Sequence, residues 1–346
     1  MMPVYPGEQW EATAPTAAGF DPDKLAAVHA WLEDRASAAD RFRIVVVRHG
    51  RVVAEWNRGL GRDDRQRLAS ATKSLFSCIL GILVDEGKLP SADVRLVDVY
   101  PEALDVVEGA GPKPGRYAYP KDRAITLRQL ISNTSGYMKP GEEPGAVFNY
   151  QTYGMNVLTH ALARLYGLYD VNDPQGSPGL APLIQEKLAA PIGATWGYYV
   201  ANFDLPSTAA ANVFGYYDGV QASALDMARL GWLWCNWGRW RDSQVVPEAW
   251  LRAATATAPD ILAHCPPEQW AYGYGFWTNE HGRLWPHLPR DSFAASGAGS
   301  QHIWVCPSLE LVVVQSPGLF QEQAEHDAGL LRLVTAALAT EDGSRG

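Results

Sequence analysis

The sequence has little cysteine, and no two of its cysteines lie close together. Four cysteines occur among 346 residues, and none belongs to a CxxC pair. Such spacing provides neither the ligands of a zinc knuckle nor the density of a disulfide framework. We therefore expect Cys78, Cys235, Cys265 and Cys306 to be free and mostly buried thiols.

An excess of positive charge is also missing. Acidic side chains outnumber basic ones by 38 to 29, which gives a formal net charge of −9. Because no basic stretch offsets this balance, neither a nucleic acid nor an anionic membrane is favoured as a partner. The expected partner is a small molecule, and the sequence gives no prediction of oligomeric state.

Long apolar runs are absent as well. No segment reaches the roughly 18 apolar residues that a transmembrane helix needs. The start of the chain, Met1 to Glu8, has neither the basic nor the apolar region of a secretory signal. These absences predict a cytoplasmic protein. A hydrophobic content of 47% is enough for a full core in one large domain or two ordinary ones.

Several catalytic motifs are missing. There is no Gly-x-Ser-x-Gly elbow, which disfavours an α/β-hydrolase, and no His-Glu-x-x-His zinc motif or nucleotide-binding glycine loop. Four later histidines lack clear metal-ligand spacing, namely His264, His281, His287 and His302. The sequence therefore implies neither a metal nor a cofactor.

Elements at the two ends of the chain have different characters. Asp21 and Pro22 start a helix, two strands flank His49-Gly50 as a hairpin, and an apolar helix runs from Ser70 to near Gly87. Strand character returns late. The strands predicted there are Tyr274–Thr278, Ser292–Gly297, Gln301–Val305 and Leu309–Gln315, and a last helix covers about Glu322–Ala339.

The middle of the chain reads as helical. Proline and glycine clusters separate its segments, and no strong strand is found between about 92 and 195. The predicted helices are Thr126–Ile131, Tyr153–Tyr166, Leu180–Ala190 and Ser223–Trp237. The predicted fold class is α/β (α+β), an antiparallel sheet flanked by helices with a mostly helical insertion. Residues 1–90 and 225–346 would form the discontinuous α/β domain and 91–224 the inserted one, with the site between them.

Ser70 and Lys73 are the first candidates for chemistry. Side chains three residues apart share a helix face, about 5–6 Å apart at Cβ. The helix around Lys73 is apolar, and burial would lower the pKa of the lysine until it could take a proton from serine. The helix N-terminus would also support negative charge at Ser70. The alternative is a helix cap at Ser70 and a solvated lysine.

Two further stretches are candidates. Tyr150 stands just before a helix, where a phenol can serve as acid or base; the alternative is a packed aromatic. Small residues fill Ala294–Gln301, which indicates a close approach by another group. That group is either a helix or a substrate lying along the strand, whose carbonyl a backbone N–H would polarise. Trp277 either lines a pocket or is structural.

Together these stretches resemble the penicillin-recognising serine hydrolases. The most similar branch is the class C β-lactamase-related group, which includes D,D-peptidases, family VIII carboxylesterases and 6-aminohexanoate oligomer hydrolases. The resemblance spans about residues 20–340. The matching stretches are Ser70–Lys73, Leu127–Gly136, Pro144–Tyr150, Ala222–Gly231 and Ser296–Val305. Their order and spacing are more specific than any one of them.

The resemblance implies a β-lactamase/D,D-peptidase-like fold and roles for the matched residues. Ser70 would be the acylated nucleophile, Lys73 its proton partner and Tyr150 the second member of the base pair. The N–H groups of Ser70 and Ala298 would hold the oxyanion. Ser296 and Gly297 fall where relatives carry the end of the Lys-Thr-Gly or His-Thr-Gly motif, which contacts the substrate.

Two departures change the expected substrate. Thr152 stands where relatives have the asparagine of Tyr-x-Asn, and Ala295 stands where they have a cation that binds the carboxylate of β-lactams. Strong β-lactamase or D,D-carboxypeptidase activity is therefore disfavoured. The predicted function is a serine hydrolase that cleaves an ester or linear amide through an acyl-enzyme. The alternatives are a transacylase, a D-amino-acid peptidase, or a non-catalytic binding or sensor protein.

Overall fold

Eleven short or medium strands form three sheets in the computed structural model, which describes residues 3–319 and 326–339. The strands are β1 Phe42–Arg48, β2 Arg51–Arg58, β3 Gln66–Arg67, β4 Gly197–Ala201, β5 Tyr217–Ala222, β6 Arg239–Trp240, β7 Ser243–Gln244, β8 Trp277–Thr278, β9 Phe293–Gly297, β10 Gln301–Cys306 and β11 Leu311–Gln315. The main sheet has the order β2-β1-β11-β10-β9-β8, and all its pairs are antiparallel.

Helices pack around these sheets. Within the described residues they are α1 Pro22–Arg35, α2 Thr72–Asp85, α3 Leu96–Val99, α4 Leu127–Ile131, α5 Tyr153–Arg164, α6 Ala181–Ile184, α7 Ala209–Phe214, α8 Ala224–Cys235, α9 Glu248–Ala254, α10 Pro259–His264 and α11 His326–Ala336. A π-helical turn, Gln185–Ala189, extends α6. The predicted helices are confirmed, although residues 322–325 of the last prediction lie outside the described part.

The main sheet joins the two ends of the chain. Strand β1 lies between its hairpin partner β2 and the late strand β11, with Ile44 opposite Gln315. Its apolar run is buried on both faces. Val45 and Val47 point to one core, while Ile44 and Val46 point to the other, as alternation along a strand requires. The predicted hairpin and antiparallel sheet are therefore confirmed.

Helix α2 is the central helix of the larger core. Every residue from Thr72 to Leu83 is buried, as expected for a helix that is apolar all round. It packs against α9, α4, α5 and the end of β9. The strand edge and the helix that carry the candidate site are thus held by the same core.

Two strands in the middle of the chain escaped prediction. Strand β5 pairs with β4 on one side and with β3 on the other, just before Ser70. Strand β4 is half-buried, and its sequence, Gly-Tyr-Tyr-Val-Ala, does not alternate between apolar and polar residues. It therefore lacks the pattern that marks a strand. The proposed division into residues 1–90 plus 225–346 and 91–224 stays a prediction.

One predicted strand is shorter than expected. The segment Tyr274–Thr278 is extended only at Trp277–Thr278. Gly275 has φ +79°, and Gly273 N–H donates to the carbonyl of Phe276 at 2.9 Å. The chain therefore turns where the sequence suggested a strand, because a left-handed glycine interrupts the pleat.

The remaining expectations concern the cysteines and the membrane. All four cysteines are free and buried, as predicted. No helix within the described ranges combines the length and the apolarity needed to span a bilayer.

We expect Gly231→Ala to destabilise the protein, although alanine favours helices by about 1 kcal/mol. Gly231 lies where α8 crosses the sheet, and an added Cβ would stand 2.5 Å from Val312 Cγ1 and 2.8 Å from Ile303 Cγ2. Overpacking of this kind costs about 1–3 kcal/mol. Urea unfolding should show a lower midpoint.

Gly329→Ala is the matched control. That position is also helical, but an added Cβ would meet the Trp31 ring at an ordinary 3.5 Å. We expect it to be neutral or stabilising. Equal effects of the two substitutions would show that the contact between α8 and the sheet is not tight.

Candidate active site

Ser70 lies in a short 3₁₀ turn, Ala69–Ala71, that leads directly into α2. The residue before it, Ala69, has φ +47°, a left-handed conformation that costs a non-glycine residue on the order of 1–3 kcal/mol. Strand β5 holds the turn, because the Tyr217 hydroxyl donates to the Ala69 carbonyl and Leu68 N–H donates to the Val220 carbonyl at 2.9 Å. The surrounding fold thus fixes where Ser70 points.

The predicted contact between Ser70 and Lys73 is present. Lys73 Nζ lies 2.7 Å from Ser70 Oγ, and Lys73 is 1% exposed. Burial lowers the pKa of Lys73 from its usual 10.5 to about 7. No described carboxylate forms an ion pair with it. The neutral amine that can accept a proton from serine is therefore populated near neutral pH.

Two aromatic rings stand beside the lysine. Its Nζ lies 4.9 Å from the ring centre of Tyr150 and 5.7 Å from that of Tyr217. Such contacts favour the ammonium by about 1 kcal/mol each. The change in pKa corresponds to roughly 5 kcal/mol in the opposite direction, so the effect of burial prevails. Tyr217 was not singled out from the sequence, in which nothing links it to Ser70.

Tyr150 is fixed as a neutral phenol next to Ser70. Burial raises its pKa above the usual 10, and a hydrogen bond with the Ser70 side chain offsets part of that rise. Its ring stacks on Trp277 at 5.6 Å and meets the edge of Tyr272 at 5.8 Å. Trp277 therefore lies behind the tyrosine and limits its rotation.

The loop after α4 positions the Tyr150 segment. Asn133 has φ +58°, a conformation that asparagine adopts more readily than most residues. Its carbonyl accepts from Asn149 N–H and its side-chain Oδ1 from Gln151 N–H, both at 3.0 Å. Asn133, which belongs to the Leu127–Gly136 stretch, thus holds the residues immediately before and after Tyr150.

Strand β9 ends against the serine turn. A Cβ built on Gly297 would lie 2.0 Å from the Leu68 carbonyl oxygen and 3.0 Å from Ser70 N, so only glycine allows this approach. Ala298 follows directly and is exposed. The close approach predicted from the small residues of this stretch is a contact with the serine turn. The oxyanion role of Ser70 and Ala298 stays a prediction.

The two residues before Gly297 differ in direction. Ala295 shares the Gly297 face and is fully buried in the larger core. Ser296 projects to the other face, because strand residues alternate. It stands opposite His302 on β10, with Ser296 Oγ 3.4 Å from His302 Nδ1. Its predicted contact with substrate stays a prediction.

A cavity of about 670 Å³ opens beside Tyr150. Its lining residues are Pro112, Lys113, Arg116, Lys139, Pro140, Glu142, Asn149, Tyr150, Gln151, Thr152, Tyr153 and Phe203. Thr152 precedes α5, and its side chain makes no capping hydrogen bond. The cationic members were not predicted, because they come from loops in which the sequence shows only proline and glycine clusters.

Within residues 3–319 and 326–339, no three or more histidine, cysteine, aspartate or glutamate side chains are grouped as metal ligands would be.

The antiparallel sheet, its flanking helices and the buried Lys73 beside Ser70 fit the class expected from the sequence, that of β-lactamases and D,D-peptidases. A family model described as Beta-lactamase matches residues 32–336. The chain therefore belongs to the beta-lactamase family, which confirms the resemblance and the fold.

The proteins that resemble this chain include one curated hydrolase and several solved structures with the same fold. The 6-aminohexanoate-dimer hydrolase of Paenarthrobacter ureafaciens is 24% identical over 342 residues, covering 89% of this chain and 80% of that protein. A family VIII carboxylesterase shares the fold with a TM-score of 0.66 at 16% identity, covering 95% of this chain and 98% of the other. A penicillin-binding protein homologue from Caulobacter crescentus gives 0.65 at 19% identity, with 92% and 99% covered.

We expect Lys73→Met to stabilise the protein, most strongly at low pH. The pKa of Lys73 is about 7 in the folded protein against 10.5 ordinarily. Between these values the unfolded chain binds the proton and the folded protein does not, so the stability of the unsubstituted protein falls as pH falls. The advantage of the variant should shrink by roughly 3 kcal/mol between about pH 6 and about pH 9.5.

Urea unfolding at both pH values measures this difference. Lys88→Met is the control, because Lys88 is exposed just after α2. Its effect on the free energy of unfolding should be small at both pH values. A stability difference for Lys73→Met that stays constant with pH would mean that the lysine is not desolvated in the folded protein.

Proposed function

We propose that this protein is a serine hydrolase that cleaves an ester or a linear amide through an acyl-enzyme, with weak or no β-lactamase activity. The observation that carries the proposal is the 2.7 Å contact between Ser70 Oγ and the buried amine of Lys73. A serine paired with a neutral base is the arrangement that nucleophilic catalysis requires. The hydrolase relatives support the same reading.

Acylation would begin with proton transfer. Neutral Lys73 takes the hydroxyl proton of Ser70 while Oγ attacks the substrate carbonyl carbon. The N–H groups of Ser70 and Ala298 hold the resulting oxyanion. As the intermediate collapses, the bond to the leaving group breaks, and the proton held by Lys73 passes through Tyr150 to that group.

Deacylation reverses these roles. A water molecule gives a proton to the Lys73–Tyr150 pair and adds to the acyl carbonyl. The bond to Ser70 Oγ then breaks, Oγ recovers the proton, and the carboxylic acid leaves. If an alcohol or amine replaces water in this step, the same site is a transacylase.

The proposed preference for esters or linear amides depends on two side chains. Ala295 places a methyl group, fully buried, where relatives are expected to carry a cation. Thr152 cannot supply the amide of the asparagine that it replaces. Neither change touches the contact between Ser70 and Lys73, so both are expected to alter substrate choice more than the chemistry.

We expect Ser70→Ala to abolish hydrolysis of p-nitrophenyl esters and labelling by a fluorophosphonate probe. Intact mass should show one adduct on the unsubstituted protein and none on the variant. A variant Ser70→Ala that matched the unsubstituted protein would instead support a binding or sensor role.

Tyr150→Phe should lower kcat by about 100-fold while labelling by the probe persists, because proton delivery contributes roughly 10²–10⁴-fold.

The same esters provide a pH test. We expect kcat/KM to rise with pH through about 7, where Lys73 loses its proton, and to stay high above that value because Tyr150 remains protonated. The pH profile of kcat/KM is also measured for the Tyr150→Phe variant, which is expected to be slower, and the two profiles are compared. A rate that falls as pH rises through this range would exclude Lys73 as the base.

Nitrocefin is expected to be turned over slowly at best. The Ala295 methyl group cannot pair with the carboxylate of a β-lactam, so acylation loses a charge-assisted contact. The variant Ala295→Lys places a cation at this position and tests whether the missing charge limits nitrocefin hydrolysis, provided that unfolding in urea shows that the variant folds. Efficient nitrocefin hydrolysis by the unsubstituted protein would contradict this role of Ala295.

A further inference from the structure

We infer that the cavity beside Tyr150 binds a carboxylate of the substrate through Lys113, Arg116 and Lys139, so that the preferred ester or amide is an anionic one. The inference rests on the proposed function, because it assigns a substrate class to the same site. It assigns the anion-binding charge to the loops that line the cavity with Tyr150 rather than to the strand position of Ala295.

The lining of the cavity is cationic although the protein as a whole is not. Against a net charge of −9, the lining combines Lys113, Arg116 and Lys139 with a single carboxylate, that of Glu142. Lys139 is 8% exposed, and its Nζ lies 3.4 Å from Glu142 Oε2. Glu142 therefore balances one of the positive charges and leaves the lining positive.

Arg116 is held by neutral groups. Its Nη2 donates to the side-chain oxygen of Gln151 at 3.1 Å and to the carbonyl of Tyr137 at 3.3 Å. Its Nε–H is buried without an acceptor among the described residues. Asp122, the other carboxylate whose charge acts on it, is engaged by Lys121 at 2.8 Å. The guanidinium is thus oriented by neutral groups, and the two carboxylates whose charges act on it, Glu142 and Asp122, are shared with Lys139 and Lys121.

The cations also repel one another. The pKa of Lys139 is lowered first by burial, against the attraction of Glu142, and then by the charges of Arg116 and Lys113. An anion placed between these side chains would relieve that repulsion and gain charge-assisted hydrogen bonds. A carboxylate matches the planar fork of a guanidinium with two parallel bonds.

The cavity reaches one of the candidate catalytic residues, Tyr150, whose side chain is hydrogen-bonded to that of Ser70. Tyr150, Gln151 and Thr152 all contribute to its lining, and Gln151 is itself the acceptor for Arg116. In the proposed complex, a substrate whose carbonyl lies at Ser70 extends past Tyr150 into the cavity. A volume of about 670 Å³ lies within the roughly 300–1,000 Å³ of small-molecule sites.

Two pairs of esters test the inference. In one pair the charge is on the acyl half: p-nitrophenyl hemiglutarate against p-nitrophenyl pentanoate. In the other it is on the leaving half: 3-(butanoyloxy)benzoate against 3-(butanoyloxy)benzamide. At least one pair should show kcat/KM about tenfold higher for the anionic member. That ratio should fall as salt rises from about 0.05 to about 0.5 M.

Variants then locate the charge. Arg116→Gln and Lys139→Met should lower the anionic-to-neutral ratio about tenfold, mainly through KM, whereas Arg116→Lys should retain part of it. Lys113→Gln keeps the test open if the buried positions fail to fold, because Lys113 is exposed. Lys24→Gln, on the exposed face of α1 and outside the lining, should change neither member of a pair.

The outcomes separate the two proposals. Activity on neutral esters that survives Ser70→Ala would overturn the proposed function. In a second outcome, hydrolysis of neutral esters requires Ser70 while both anionic-to-neutral ratios of kcat/KM stay below about two and do not change in the cavity variants. That result would support the hydrolase and refute the carboxylate subsite. A ratio that falls with Lys113→Gln or Arg116→Gln, and not with Lys24→Gln, supports the subsite.

Discussion

The burial of Lys73 against Ser70 is the constraint on which the site depends. A lysine placed in the middle of the larger core costs stability at neutral pH, since its pKa falls to about 7 and the unfolded chain would bind its proton more strongly. Replacing the amine with an apolar group would remove that cost. The apolar surroundings of α2 therefore lower stability at neutral pH, and in the proposed mechanism they keep Lys73 available as a base.

Three separate parts of the chain keep this pair in place. Strand β5 binds the carbonyl of the left-handed Ala69 through Tyr217. Strand β9 contacts the serine turn at Gly297, where a side chain would not fit. Asn133 accepts hydrogen bonds from the Tyr150 segment. Each part comes from a different region of the sequence. The sheet that joins β1 to β11 supports the β9 side of the site, so the fold of the chain ends and the position of Ser70 are coupled.

Prediction from sequence was accurate where interactions are local. Ser70 and Lys73 meet because of helical spacing, and the β1–β2 hairpin forms because its turn lies between two apolar runs. Prediction was less accurate where a tertiary contact determines the local conformation or the position of a side chain. The half-buried strand β4 takes its conformation from β5, and Gly275 turns the chain inside a segment that is otherwise strand-like. Arg116 and Lys139 lie in separate loops, and no periodicity indicates that they face one cavity.

The proposed anion subsite offers a reason why Ala295 can stand in place of a cation while Ser70 and Lys73 keep their contact. A cation at the position of Ala295 would lie on the Gly297 face of β9, the face that meets the serine turn, and its charge would further disfavour an ammonium on Lys73. The cations of the cavity lie in loops beside Tyr150, and burial accounts for the lowered pKa of Lys73. In the proposed arrangement the anion-binding charge is separate from Lys73, so that substrate preference can change through loop residues while Ser70, Lys73 and Tyr150 keep their contacts.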